Sequence, residues 1–133
     1  MGQYQYALIL AACQYRPYRN RSRQFYQTIF GFEVLVSIDR LCALGVPGKQ
    51  MLLLFKKGAS ADLPLTPHDG DGHLHMAFAV PAAELESWEA WLGQHGVAIE
   101  DRRTWELGGR SLYFRDPDQH LIELATPGTW PIY

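Results

Sequence analysis

Two stretches of the chain space their apolar residues at helical intervals, and short runs with strand-like spacing surround each of them. In "NRSRQFYQTIFG" the residues Phe25, Tyr26, Ile29 and Phe30 form one stripe; Asn20 or Ser22 serves as N-cap and Gly31 as C-cap. In "PAAELESWEAWLGQHG" the stripe is Leu85, Trp88, Trp91 and Leu92, opened by Pro81 in the first turn and closed by Gly96. Both stripes read as core. One strand-like run precedes each helix and three follow it. The first set is "YALILAACQY", then "FEVLVSI", "LCALGV" and "QMLLLFK"; the second is "HLHMAFAV", then "VAIEDRRTW", "RSLYFRD" and "HLIELAT". Gly31 and Gly96 stand 65 positions apart, about half of the 133 residues. The pattern predicts an α+β protein made of a duplicated βαβββ unit. The modules span about 1–57 and 73–133 of a single domain, 1–133. The Gly-, Pro- and Asp-containing stretch 58–72 is read as their linker.

One residue breaks the apolar pattern. Leu121, Ile122, Leu124 and Ala125 suit a buried strand, yet Glu123 sits among them. A carboxylate withdrawn from water needs a partner or a cation. Strand alternation puts Leu74, Met76, Phe78 and Val80 on one face of "HLHMAFAV" and His73, His75, Ala77 and Ala79 on the other. If this run and the last strand share a sheet, His75 and Glu123 point into the same space. Imidazole plus carboxylate suits a divalent metal. The alternative is an ion pair between Glu123 and an arginine such as Arg110 or Arg115. "RDPDQ" reads as a turn, with Pro117 fixing φ and Asp116 bonding the backbone.

Composition narrows the setting. Hydrophobic residues make up 47% of the chain, which argues for a folded core, and the net charge of -2 gives no sign of nucleic acid as a partner. Arg16, Arg19, Arg21 and Arg23 cluster locally, either as a solvated loop and helix start or as an anion clamp. Cys13 and Cys42 cannot make a disulfide framework and fit reduced thiols in a cytoplasmic protein. "YALILAAC" is too short to cross a bilayer, so no membrane association is expected.

The segments "RQFYQTIFGFEVL", "GHLHMAFAV" and "GRSLYFRDPDQHLIEL" together resemble the vicinal oxygen chelate superfamily, which includes glyoxalase I, extradiol dioxygenases, fosfomycin-resistance proteins and bleomycin-binding proteins. The resemblance covers nearly the whole chain from about Ser22. It implies that the two βαβββ modules form a cup-shaped eight-stranded sheet, commonly in a homodimer. It also implies a divalent metal (Fe, Mn, Ni or Zn) held by side chains from the first strand of each module and from the final strand. His75 and Glu123 match two of these ligands, with Glu123 also the catalytic residue. The implied function is a small-molecule enzyme, the metal acting as Lewis acid on a substrate with vicinal oxygens; lyase, thiol transferase and dioxygenase chemistry all remain open. Arg110, Tyr113 and Trp105 are candidates for substrate contact.

The sequence departs from the family in its first strand. Counting back from Phe25 puts the family's first ligand at Ala11, whereas the internal repeat puts it at Leu10, and neither side chain can ligate. Cys13 and Gln14 lie nearby. The alternative function is therefore a metal-free small-molecule or antibiotic-binding protein of the bleomycin-resistance type, with Trp105, Tyr113, Trp130 and Tyr133 as candidate lining.

Overall fold

The computed structural model describes residues 9–15, as backbone only, and residues 21–133. Arg16, Arg19 and Asn20 lie outside the described residues, as do the side chains of Leu10, Ala11, Cys13 and Gln14. The chain divides after Gly72 into two compact units.

The first unit contains β1 (Ile9–Tyr15), α1 (Arg21–Phe30), β2 (Glu33–Ser37), β3 (Leu41–Val46) and β4 (Gln50–Lys56). The second contains β5 (His75–Ala79), a 3-10 turn (Ala82–Glu84), α2 (Leu85–Gln94), β6 (Asp101–Thr104), β7 (Arg110–Arg115) and β8 (Leu121–Ala125). Each unit forms a four-stranded sheet, ordered β1-β4-β3-β2 in the first and β5-β8-β7-β6 in the second. In both, the first and last strands pair in parallel and the other pairs are antiparallel. The α+β class and the repeated βαβββ order expected from the apolar pattern are those of the structure.

Both helices end as their glycines predict. Gly31 adopts φ +69° and its N–H reaches the Gln27 carbonyl at 3.0 Å; Gly96 adopts φ +71° and the Val97 N–H reaches Leu92 at 2.9 Å. Two details differ from expectation. Pro81 opens a 3-10 turn, and the α-helix begins only at Leu85. Leu85 and Leu92 are buried, but Trp91 is 39% exposed and lies against His95, so the second stripe is core only in part. The indole stands at the margin of the stripe, its ring tilted against that of His95.

Alternation divides each sheet into two faces. In the second unit Met76, Leu112, Phe114, Ile122 and Leu124 form the apolar face, and each contributes about 1.5–3 kcal/mol by leaving water. Helix α2 lies on this side, tied to the sheet by ion pairs from Arg110 to Glu86 and from Arg102 to Glu89. The β7–β8 turn is held by the buried Asp116. Its Oδ1 accepts the N–H groups of Asp118 (3.0 Å) and His120 (2.9 Å), and its Oδ2 lies 3.0 Å from His120 Nδ1. At the other end of β7 the chain passes so near the C-terminal segment that a Cβ on Gly109 would stand 2.1 Å from the Thr129 nitrogen. No other residue fits there. Segment 58–72, read as a linker, is held within the first unit: the Arg40 guanidinium donates to Ser60 Oγ (3.0 Å), and the His68 ring packs edge-on against Phe55.

Candidate functional site

The opposite face of the second sheet is polar, and the strand register decides which residues meet there. Tyr113 pairs with Glu123 across β7 and β8, and Ala77 pairs with Glu123 across β5 and β8. Two positions along from these partners, Ser111 and His75 fall on the same face as diagonal neighbours of the carboxylate. Asp101 and Arg103 of β6 extend it, because they pair with Tyr113 and Ser111. A cavity of about 400 Å³ opens on this face, lined by His75, Glu100, Asp101, Arg103, Tyr113 and Arg115 among others. Ala77, directly beside Glu123, offers no bulk that would keep the His75 ring away from it.

Glu123 is 7% exposed and both of its oxygens are engaged. Oε1 accepts the Ser111 hydroxyl at 2.6 Å and the Tyr113 hydroxyl at 3.0 Å. Oε2 lies 3.1 Å from His75 Nε2. The indole N–H of Trp105 donates to Ser111 Oγ at 2.8 Å. Burial pushes the Tyr113 phenol above its ordinary value, and its hydrogen bond to Glu123 pushes it further, so it serves as a donor. The Tyr113 and His75 rings stack at 6.2 Å.

His75 is held at its other nitrogen. Nδ1 stands 3.1 Å from the Leu121 carbonyl, which can only accept, so Nδ1 carries a proton. That leaves Nε2 to share a proton with Glu123 or to present a lone pair to a cation.

The structure therefore brings His75, Glu123, Tyr113 and Trp105 together and separates Arg110 from them. Arg110 is on the opposite face, where its guanidinium pairs with Glu86 and reaches the Ala82 carbonyl at 3.4 Å. Alternation alone accounts for this, since Arg110 is an odd number of residues from Tyr113. Arg115 shares the site's face but pairs with Glu100 at 3.1 Å. Neither arginine considered as an ion-pair partner for Glu123 is its partner. Trp105 stands behind Ser111 and does not line the cavity; nor do Trp130, which is exposed, and Tyr133, whose hydroxyl is 3.4 Å from the Ala125 carbonyl. Ser111 and Arg103 were not singled out from the sequence. Counting back two residues from Tyr113 would have found Ser111.

His75 Nε2 and Glu123 Oε2 are the atoms here that could take part in holding a divalent cation. Adjacent ligand atoms about 2.1 Å from one ion stand roughly 3–3.5 Å apart; Nε2 and Oε2, hydrogen-bonded at 3.1 Å, lie within that range. A histidine whose other ring nitrogen donates to a carbonyl is the usual support for a metal ligand. Among the described residues, no group of three His, Cys, Asp or Glu side chains is placed to hold a metal.

Paired βαβββ units with a polar face on the second sheet define a class of small α+β proteins in which two similar half-folds carry different surfaces. The chain belongs to the Glyoxalase/Bleomycin resistance protein/Dioxygenase superfamily, whose profile matches residues 14–124. Metallothiol transferase FosB of Staphylococcus saprophyticus is 32% identical over 108 residues, covering 80% of this chain and 68% of that protein. Catechol-2,3-dioxygenase of Bacillus subtilis is 37% identical over 107 residues, or 78% of this chain, but the match spans only 36% of that longer protein. The crystal structure of lactoylglutathione lyase from Agrobacterium tumefaciens superposes with a TM-score of 0.86, covering 98% of this chain and 99% of that one at 24% identity, and so shares the fold. Among the described residues, no helix is long and apolar enough to cross a membrane.

Proposed function

We propose that His75 and Glu123 hold a divalent metal, one of Fe, Mn, Ni or Zn, and that the protein is an enzyme acting on a small molecule with neighbouring oxygen atoms. The observation that carries this reading is the convergence of His75 Nε2 and Glu123 Oε2 at 3.1 Å, with His75 Nδ1 committed to a backbone carbonyl. When bound, a divalent ion supplies Lewis-acid polarisation of substrate oxygens. The chain's own groups do the rest. Leu121 fixes the His75 tautomer, and Ser111 and Tyr113 orient the carboxylate. Arg103 and Arg115, on the same face, are paired with Asp101 and Glu100, so the cavity offers guanidinium donors to substrate oxygens without an excess of positive charge. The related thiol transferase, dioxygenase and lyase are compatible with this general chemistry, and the reaction type stays open among the three.

Metal analysis after loading with each of the four ions tests the proposal. The expected result is one ion per chain in the wild type and none in His75→Ala or Glu123→Gln. A wild type that retains none of the four overturns it. That outcome favours the second reading, a metal-free small-molecule or antibiotic binder, for which the aromatic Tyr113 lining the cavity is the supporting observation.

A further inference from the structure

Glu123 carries two oxygens in unlike surroundings, and the difference has a consequence for any ion bound there. A carboxylate oxygen has two lone-pair sites. On Oε1 both are taken, one by Ser111 at 2.6 Å and one by Tyr113 at 3.0 Å. Among the described residues, Oε2 faces His75. The direction of the Ser111 bond is fixed by its neighbours. Ser111 Oγ receives the Trp105 indole N–H at 2.8 Å and lies within hydrogen-bond reach of both Tyr113 and Glu123; the short 2.6 Å contact to the charged acceptor is the one that takes its single proton. Ser111 is 1% exposed, which keeps water from competing for that proton.

We infer that Trp105, Ser111 and Tyr113 are positioning residues that lock Oε1 of Glu123, so that the carboxylate offers a metal Oε2 only and binds it through one oxygen. This rests on the proposed metal reading and deepens it. A carboxylate that chelated through both oxygens would occupy two coordination positions. The lock keeps one of these open, and a substrate with two neighbouring oxygens needs two adjacent positions. Trp105, taken from the sequence as a substrate contact, then acts at one remove, through Ser111.

The test uses the full chain with Mn(II) as probe, reading affinity by titration calorimetry and carboxylate binding mode by difference infrared spectroscopy. One-oxygen coordination separates the antisymmetric and symmetric carboxylate stretches widely, and two-oxygen coordination narrows the gap. The wild type is expected to show the wide separation. Tyr113→Phe and Ser111→Ala should each narrow it and weaken Mn(II) binding about 10- to 100-fold, as loss of outer-shell partners does elsewhere; Trp105→Phe should do so by a smaller factor. Tyr113 is partly exposed and its replacement by Phe leaves the ring in place, so that variant carries the test even if the buried Ser111→Ala fails to fold. If Tyr113→Phe keeps both the wild-type affinity and the wide separation while His75→Ala has lost the ion, the lock is overturned and the ligand assignment stands. If the wild type takes up no Mn(II), Fe, Ni or Zn, the ligand assignment falls and the lock with it.

Discussion

The two units use one backbone plan for different surfaces. Setting their strand pairs side by side, Glu123 with its partners Tyr113 and Ala77 corresponds to Leu53 with its partners Ala43 and Ala11. The same register equates Ser111 with Leu41 and His75 with Ile9. The apolar faces agree: Leu44, Leu52 and Leu54 in the first unit match Phe114, Ile122 and Leu124 in the second, and all six are buried. Each unit thus keeps the layer that folding requires and differs in the layer it does not. Burial of the common face supplies stability, while the other face was free to collect a carboxylate, an imidazole and two hydroxyls. The register also refines the count made from sequence. On this alignment Ile9 takes the position of His75 in β1, with an interval of 66 in the first strands (75 − 9) and 70 in the last (123 − 53), beside the Leu10 and Ala11 to which the sequence counts lead. Ile9 cannot ligate either.

Changing the second unit to resemble the first should have the largest effect. Glu123→Leu is expected to abolish metal uptake completely while the protein still unfolds cooperatively, as followed by metal analysis and circular dichroism. Retained stoichiometric metal in this variant would break the comparison.

Next come the matched core positions. Phe114→Ala should cost about 3–5 kcal/mol and Leu44→Ala about 2–5 kcal/mol in urea unfolding. A loss far below this range at either site would mean that the two apolar layers are not equivalent in packing.

Placing a carboxylate in the first unit inverts the first experiment. Leu53→Glu puts the charge beside Ala43 and Leu41, which stand in place of Tyr113 and Ser111 and offer it no hydroxyl. Leu53 is half-buried, and about 1–3 kcal/mol of destabilisation is expected. Unchanged stability would show that this face of the first unit is well hydrated.

A smaller effect concerns Cys42, the register counterpart of Leu112. Burial raises its thiol above the ordinary range, although Arg23 and Ser37 pull it back in part. Cys42 should therefore react slowly with iodoacetamide in the folded protein, as read by mass mapping of its peptide, and urea should accelerate the reaction. Because the folded state holds this proton more tightly than the unfolded chain, the associated stability is present below the ordinary thiol range and declines as the pH rises through the raised value. Equal reactivity with and without urea would contradict the burial.

The last prediction concerns assembly. Strand β2 is an edge strand, and Leu35, Val36 and Ile38 on and beside it are 47–52% exposed. Covering such an edge favours a homodimer. Light scattering should give about twice the 15.1 kDa of one chain, and a value near 15.1 kDa at micromolar concentration would refute it.

The sequence by itself determined the duplicated βαβββ order, the glycine-ended helices, and the placing of His75 and Glu123 on faces away from the apolar residues. Those are local matters: a period of two or of 3.6 acts within one element, and Gly31 and Gly96 answer a steric demand at a single residue. Only the tertiary structure decided what Glu123 touches. Arg110 and Arg115 were open as its partners until the β7–β8 register set Tyr113 opposite it and Ser111 beside it, leaving Arg110 to Glu86 and Arg115 to Glu100. Trp105 reaches the site only through Ser111, a link between side chains that alternation along one strand does not encode. Likewise Trp91 falls on the helical stripe, but how far the core extends across the stripe depends on the neighbouring elements, and the ring ends at the margin against His95. Strand pairing joins residues far apart in the chain, and a shift of one position would turn each side chain to the other face. The site therefore depends on register, which the apolar pattern of β8 constrains only by its own period.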